Sequence, residues 1–177
     1  MRNSKKKSVL STRALVCMLA VAAVLTLAVA YELLWKDSES QEFEQARVVR
    51  IVDGDTLIVS IFGVNERVRL IGIDAPESVH SDETKNTQEG IDSSNYVKSI
   101  VQPGQTVYLQ RDLSNRDKHE RLLRYVWLEV PDDPWSMSEV RTKMLNGMLV
   151  DNAHAETRRY EPDTAYHDIF KAIAQAR

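Results

Sequence analysis

Residues 47–77 read RVVRIVDGDTLIVSIFGVNERVRLIGIDAPE, and they carry the clearest pattern of strands and turns in the chain. It contains three runs rich in β-branched residues, which are separated by Gly, Asp and Asn. The runs lie at 48–52, 57–61 and 68–73, and the turns are DGDT at 53–56 and GVN at 63–65. Because β-branched residues favour strands and Gly, Asn and Asp favour tight turns, the pattern predicts three consecutive antiparallel strands.

The rest of the chain supplies two more strands and three helices. Apolar spacing and Pro or Gly breaks mark each of them. The predicted elements are a helix that follows a polar loop at 78–88, passes through residues 96–101 and is ended by Pro103 and Gly104, then strands at 106–109 and 122–130, and helices at 139–152 and 165–177. A helix between the third and fourth of five strands is the order of an OB-fold barrel. The sequence therefore predicts an α+β, mainly β domain, a five-stranded OB-fold barrel with three helices.

The first 36 residues differ from the rest in composition. Five basic residues precede an uncharged, mostly apolar run at 14–30. Such a start is typical of a secretory signal peptide or a single membrane anchor, so we predict a membrane or signal helix within 1–36. The small residues at 28–30 suit cleavage, whereas an uncleaved run would keep the N-terminus in the cytoplasm. In either case we expect the remainder to be secreted or held on the extracellular face of the cell membrane.

A short linker is predicted to follow this segment. Residues 37–45, DSESQEFEQ, are acidic and polar and have no periodicity, which is typical of a solvated spacer. The folded domain is therefore expected at 46–177. Cys17 is the only cysteine and lies in the N-terminal segment, so the exported domain can form no disulfide and must depend on its core.

The charge of the exported part limits how it can bind a polyanion. Residues 31–177 carry 18 basic and 26 acidic side chains, a net charge of −8. Such an acidic protein cannot hold nucleic acid by a general positive field. Any polyanion must instead be bound locally, by a few placed arginines or by a metal ion. The four histidines show no metal-ligand spacing, and the chain contains no P-loop motif.

Two aspartates are candidate metal ligands. Asp55 and Asp74 each stand at the end of a predicted strand, where a barrel can bring the two carboxylates together. Carboxylates are hard oxygen ligands that suit Ca²⁺. The alternative is that both side chains cap turns. Asp53, in the same DGDT motif, is interpreted as a turn residue.

Arg69 and Glu77 are the other candidates in this stretch. Arg69 lies five residues before Asp74, so on a regular strand the two would point to opposite faces, and a shared site requires a bend. A guanidinium can bind phosphate bidentately and stabilise charge that grows on it. Glu77 follows Pro76, which stiffens its turn, and a carboxylate there can accept a proton from water or position it. The alternative for Glu77 is a solvated loop residue.

Three motifs together resemble the thermonuclease family, the staphylococcal-nuclease-like domain. They are IVDGDTLIVSI at 51–61, RLIGIDAPE at 69–77 and RDKHERLLRYVW at 116–127. The resemblance extends from about residue 46 to the C-terminus. It implies a Ca²⁺-dependent nuclease in which water attacks phosphorus in DNA and RNA and leaves 3′-phosphate ends. We expect a monomer.

The resemblance also implies roles for individual residues. The implied Ca²⁺ ligands are Asp55, Asp74 and the backbone carbonyl of Ala75, and the implied catalytic residues are Arg69, Glu77 and Arg121. Tyr160 matches a tyrosine that packs on the nucleotide, although a tyrosine there is as often part of the core. Asn146 matches an asparagine that ties loops together, which is a structural role.

One of the motifs departs from the family pattern. His119 and Glu120 stand where the family usually has an aromatic residue and a glycine. Glu120 places a negative charge beside Arg121 and replaces a flexible turn residue, so Arg121 is the least secure of the candidates. Two other classes remain open. One is a non-catalytic OB-fold module that binds nucleic acid, and the other is an interaction domain tethered to the membrane.

Overall fold

The computed structural model describes residues 19, 21–26, 43–78 and 87–177. The chain divides into two compact units, Met1–Gln41 and Glu42–Arg177. In the first unit, residues 21–26 are helical. Among the described residues, no helix has the length and hydrophobicity that crossing a bilayer requires. Most of the predicted signal or anchor segment, and residues 37–42 of the predicted linker, lie outside the described residues.

The second unit contains short strands and helices in an α+β order. Its strands are β1 (Phe43–Asp53), β2 (Thr56–Ile61), β3 (Val64–Leu70), β4 (Ile73–Asp74), β5 (Thr106–Gln110), β6 (Leu122–Trp127) and β7 (Glu156–Thr157). Its helices are α1 (Gln88–Ile100), α2 (Met137–Lys143), α3 (Leu145–Asp151) and α4 (His167–Ala176).

The five longer strands close into a barrel in the order β1-β2-β3-β6-β5. All neighbours are antiparallel except β3 and β6, which run parallel. Alternate side chains of each strand point into the barrel, where Leu57, Val59, Val68 and Leu109 are almost completely buried. The predicted five-stranded, mainly β barrel is confirmed. The α1 helix follows β4 and precedes β5, as the OB-fold order predicts.

Three strand boundaries predicted from the sequence were wrong. The strand predicted at 122–130 ends at Trp127, and the next backbone N–H, that of Leu128, donates to the carbonyl of Lys143 at 2.8 Å. The first strand begins at Phe43, inside the predicted linker, because Phe43 pairs with Gln110 and packs edge-on against Trp127 at a ring-centroid distance of 6.0 Å. The third strand ends at Leu70 rather than residue 73. Gly72 follows with a φ of +77°, and the next two residues form β4, which pairs with β7.

The helix predicted over 139–152 is two helices. Met144 is extended, with φ −97° and ψ 122°, and it separates α2 from α3. Its backbone forms a bridge to Trp127 at the end of β6, and its side chain is fully buried. Contact with the barrel therefore overrides the helical apolar pattern at this residue. The described part of the second unit has four helices instead of three.

Gly72 is the position where the backbone most clearly requires glycine. Besides its positive φ, a Cβ added there would lie 2.7 Å from Cε2 of Phe170 on α4. Gly63 has a similar φ of +86°, but an added Cβ would meet nothing within 4 Å.

We predict that Gly72→Ala lowers the free energy of unfolding by on the order of 2 kcal/mol or more, because it adds steric conflict to left-handed strain. Gly63→Ala should show the conformational cost alone, which is about 1 kcal/mol. Urea unfolding of the full chain in a non-ionic detergent measures both. Equal losses in the two variants would contradict the packing role of Gly72.

Candidate active site

The site is built around a bend that joins β3 to β4. Leu70 donates its backbone N–H to the carbonyl of Asp55 at 2.9 Å, and Ile71 donates to Arg124 at 3.1 Å. Gly72 accepts from the backbone of Arg158 at 2.9 Å. The chain thus leaves the barrel within two residues, and Arg69 and Asp74 reach one side in spite of their odd spacing. The bend that a shared site requires is present.

Asn146 fixes the bend from the opposite direction. It is fully buried at the start of α3. Its side-chain nitrogen donates to the carbonyl of Ile71 at 2.9 Å, and its oxygen accepts from the backbone N–H of Val126 at 2.9 Å. One amide therefore connects the bend, β6 and α3.

Arg69 bridges the two candidate metal ligands. Its Nη1 forms an ion pair with Oδ2 of Asp55, and its Nη2 donates to Oδ1 of Asp74 at 2.8 Å. Asp55 is only 3% exposed, whereas 45% of the Asp74 side chain is accessible. Asp55 also accepts from the Thr56 hydroxyl at 3.0 Å and from the backbone N–H of Ala75 at 3.2 Å. These contacts bring together four of the predicted site residues.

Burial and charge act in opposite directions on this cluster. Burial raises the pKa of Asp55 above its ordinary value, and the Arg69 guanidinium and the Ala75 N–H offset only part of that effect. For Arg69, burial alone would lower the pKa, but the charges of Asp55 and Asp74 outweigh it and raise the pKa. Two carboxylates share one guanidinium, so the cluster has a formal charge of −1 and can gain from an added cation.

Arg121 is held by an acidic residue that the sequence interpretation missed. Its Nε and Nη2 each lie 2.7 Å from Oδ2 of Asp117, whose Oδ1 accepts the Arg121 backbone N–H at 3.0 Å. The D-x-x-x-R spacing at 117–121 was the available signal. The nearby Arg116 pairs bidentately with Glu66 at 2.9 Å for both contacts, so its guanidinium is already paired.

Arg69 and Arg121 face one cavity of about 310 Å³, here called the active-site cavity. Tyr160 lies on its wall and is 40% exposed, so it is not a core tyrosine. The remaining lining residues are Leu70, Ile71, Ser114, Asp117, Leu123, Glu161 and Asp163. Both predicted arginines and the predicted nucleotide-packing tyrosine therefore meet at one place.

Glu77 is exposed and stands three residues after Asp74. Its segment is held from two sides. Asp53 accepts from the hydroxyl of Ser78 at 2.5 Å, and the Glu77 carbonyl accepts from the backbone N–H of Thr87 at 3.0 Å. A Cβ added at Gly90 would lie 2.1 Å from that carbonyl oxygen, so α1 packs directly on the segment. Asp53 is therefore more than a turn residue, because it anchors the segment that carries Glu77.

Comparison with known proteins shows where the chain belongs. A family model described as "Staphylococcal nuclease homologue" matches residues 67–177. The chain is 34% identical over 136 residues to the thermonuclease of Staphylococcus intermedius. This alignment covers 77% of this chain and 73% of that protein. The chain belongs to the staphylococcal nuclease family. The resemblance predicted from its motifs is confirmed.

Two further proteins are similar to this chain. The thermonuclease of Staphylococcus hyicus is 29% identical over 170 residues, which is 90% of this chain and 89% of that protein. The SPbeta prophage-derived endonuclease YokF of Bacillus subtilis (strain 168) is 32% identical over 136 residues. That alignment covers 76% of this chain but only 42% of YokF.

Glu120, which replaces the family's usual glycine, adopts the conformation that glycine favours. Its φ is +61°, it is exposed, and its carbonyl accepts from Nη1 of Arg116 at 2.7 Å. The turn thus forms without glycine and still presents Arg121 to the active-site cavity. The cost is left-handed strain in a residue with a Cβ.

We predict that Glu120→Gly raises the free energy of unfolding by about 1 kcal/mol, because glycine removes this strain. Glu120→Gln keeps the strain and removes only the charge, so its stability should match that of the wild type. Thermal unfolding followed by circular dichroism compares the three proteins. An equal gain in both variants would mean that charge, and not backbone conformation, sets the cost.

A second prediction concerns the pH dependence of stability. Because the folded state raises the pKa of Asp55 above the ordinary 3.8, it binds that proton more tightly than the unfolded chain does. Protonation of Asp55 therefore adds to the free energy of unfolding. This contribution is complete below pH 3.8 and is lost as the pH rises through the pKa that Asp55 has in the folded state. Between pH 3.8 and the folded pKa of Asp55, the free energy of unfolding of the wild type should therefore fall relative to that of Asp55→Asn. Urea unfolding at successive pH values measures the difference, and a gain with rising pH would contradict the assignment.

Proposed function

We propose that this protein is a nuclease that hydrolyses phosphodiester bonds of DNA and RNA, depends on Ca²⁺, and acts outside the cytoplasm. The observation that carries the proposal is the position of Arg69. Its guanidinium contacts both Asp55 and Asp74 and also lines the active-site cavity with Arg121. The names thermonuclease and endonuclease, which belong to similar proteins, support the same reaction class.

The two arginines are suited to hold a phosphate and to stabilise its charge. Guanidinium groups make bidentate, charge-assisted hydrogen bonds to phosphate oxygens. Arg69 contacts Asp55 and Asp74, and Arg121 contacts Asp117, so both guanidinium groups are held at the wall of the active-site cavity. Preorganised donors of this kind are a large source of transition-state stabilisation.

The cavity also has room and a surface for a nucleotide. Its volume of about 310 Å³ lies within the range of small-ligand sites. Tyr160 exposes 40% of its surface at the wall, and every base can stack on an aromatic ring. Stacking contacts the base and not the 2′ position of the sugar, which suits a substrate class that includes both DNA and RNA.

The carboxylate cluster suits a hard cation. Asp55, Asp74 and the carbonyl of Ala75 offer oxygen ligands, which Ca²⁺ prefers. The buried Asp55 carboxylate has a raised pKa and shares its one guanidinium with Asp74, so added positive charge would stabilise it. Within the described ranges, no three His, Cys, Asp or Glu side chains form a metal-binding group, so the proposed set depends on the backbone carbonyl. Bound Ca²⁺ would supply positive charge beside the phosphate.

Glu77 is the proposed proton acceptor. It accepts a proton from water or positions that water while the oxygen bonds to phosphorus. The bond from phosphorus to the 5′ oxygen breaks, that oxygen takes up a proton from solvent, and the proton that Glu77 accepted returns to solvent. The products are a 3′-phosphate and a 5′-hydroxyl, as the family resemblance implies. Export is supported by the basic start and the apolar run at 14–30, which predict secretion or anchoring at the membrane.

We predict that Glu77→Gln lowers the rate of single-strand DNA cleavage by about 10²- to 10⁴-fold, because it removes the proton acceptor. Glu129→Gln is the matched control, since Glu129 is an exposed glutamate after β6. The full chain in non-ionic detergent is assayed with Ca²⁺ and with EGTA, which should abolish cleavage. Cleavage rates that are the same with Ca²⁺ and with EGTA, and the same in the wild type, Glu77→Gln and Glu129→Gln, would refute the mechanism.

The same proteins distinguish the two alternative classes. Binding without any cleavage would favour a non-catalytic OB-fold module. No affinity for any oligonucleotide at low salt would favour an interaction domain.

A further inference from the structure

A second cavity lies beside the active-site cavity and contains two arginines that the proposed reaction does not use. Its volume is about 370 Å³, and we call it the arginine cavity. The residues that line it are Glu44, Leu109, Arg111, Asp112 and Arg124.

Arg124 is a buried charge with neutral partners. It is 6% exposed, and its Nη1 donates to the carbonyls of Leu123 at 2.8 Å and Asn115 at 3.2 Å. Its Nη2 donates to the side-chain oxygen of Asn115 at 2.8 Å. Among the described residues, neither Arg124 nor Arg111 forms an ion pair within 4.0 Å. Because a buried charge without a counterion is costly, this position favours an anion.

Two carboxylates also face the arginine cavity. One of them is Asp112, whose Oδ2 is occupied by groups other than the two arginines. It accepts from the Tyr125 hydroxyl at 3.0 Å and from the backbone N–H of Ala165 at 2.9 Å. Glu44 lies at the start of β1 and acts on the charge of Arg124 over a longer range. Burial and the neighbouring charge of Arg111 lower the pKa of Arg124 in spite of Glu44.

The two cavities are lined by residues that are close in sequence. Ser114 and Leu123 line the active-site cavity, whereas Asp112 and Arg124 line the arginine cavity. Leu123 and Arg124 are consecutive on β6 and point to opposite faces of that strand. Asp112 and Ser114 lie in the loop after β5, where two residues span at most about 7 Å. This distance is about the rise of two nucleotides along a strand. A strand whose scissile phosphate contacts Arg69 and Arg121 can therefore place another phosphate at the arginine cavity.

We propose that the arginine cavity is a second phosphate subsite, which binds the backbone of a polynucleotide strand beyond the scissile phosphate. The inference rests on the proposed function and names its substrate class as a strand of several nucleotides, rather than a dinucleotide. The net charge of −8 over residues 31–177 makes such local arginines the available means of holding a longer polyanion.

The test measures binding separately from cleavage. Fluorescein-labelled single-stranded oligonucleotides of two and six nucleotides are titrated against the full-length Glu77→Gln protein in non-ionic detergent with Ca²⁺. Arg111→Gln, which changes an exposed side chain, is added to this background, and Arg50→Gln on the exposed face of β1 is the charge-matched control. Anisotropy at several salt concentrations gives the affinity and its salt dependence.

Arg111→Gln should weaken hexanucleotide binding about tenfold and leave dinucleotide binding unchanged, because it removes one charged contact to the longer strand. The slope of log affinity against log salt should fall by about 0.7 for the hexanucleotide. Glu44→Gln should strengthen hexanucleotide binding, and Arg50→Gln should change neither ligand. Equal losses for Arg111→Gln and Arg50→Gln, or for both ligands, would overturn the subsite.

The two proposals fail in different ways. If the wild type does not cleave DNA but hexanucleotide binding still depends on Arg111, the proposed reaction fails and the subsite stands. If the wild type cleaves DNA but Arg111→Gln leaves the hexanucleotide affinity and its salt slope unchanged, the subsite fails and the reaction stands.

Discussion

The bend at Ile71 and Gly72 is the constraint on which the rest of the site depends. A regular strand would send Arg69 and Asp74 to opposite faces, and the bend brings both to the same buried carboxylate. Gly72 is required there by its φ of +77° and by the ring of Phe170 on α4. Asn146 then connects the bend to α3 and β6 through one amide. The helices after the barrel thus determine where Arg69 of β3, a candidate catalytic residue, meets Asp74 of β4, a candidate metal ligand.

Electrostatics explains how an acidic protein can present arginines to a polyanion. Arg69 is held by Asp55 and Asp74, and Arg121 is held by Asp117, so both guanidinium groups are placed before any ligand arrives. The carboxylates stabilise these partly buried charges, which would otherwise be costly to desolvate. Arg124 differs, because its partners are backbone and amide oxygens. The proposed binding of a polyanion therefore depends on the local arrangement of these arginines and not on a general positive field.

Much of the fold was predictable, and the errors have common physical causes. Alternation of β-branched residues and turn residues marked the barrel strands, because each strand buries one face. The breaks at Gly72 and Met144 were missed, since they depend on contacts with Phe170 and Trp127, which are distant in sequence. The same holds for Phe43, whose acidic neighbours suggested a linker, although its ring packs against Trp127.

Local patterns and motif spacing were enough to establish the family and the barrel, and they supplied the candidates for the chemically relevant side chains. Only the tertiary structure decided which of those side chains meet. Tyr160 and Arg121 lie far from Arg69 in sequence, and only the closure of the barrel and the turn at Glu120 bring all three to one cavity. Asp53 and Asp117 acquired their structural roles in the same way, because hydrogen-bond partners are set by three-dimensional proximity.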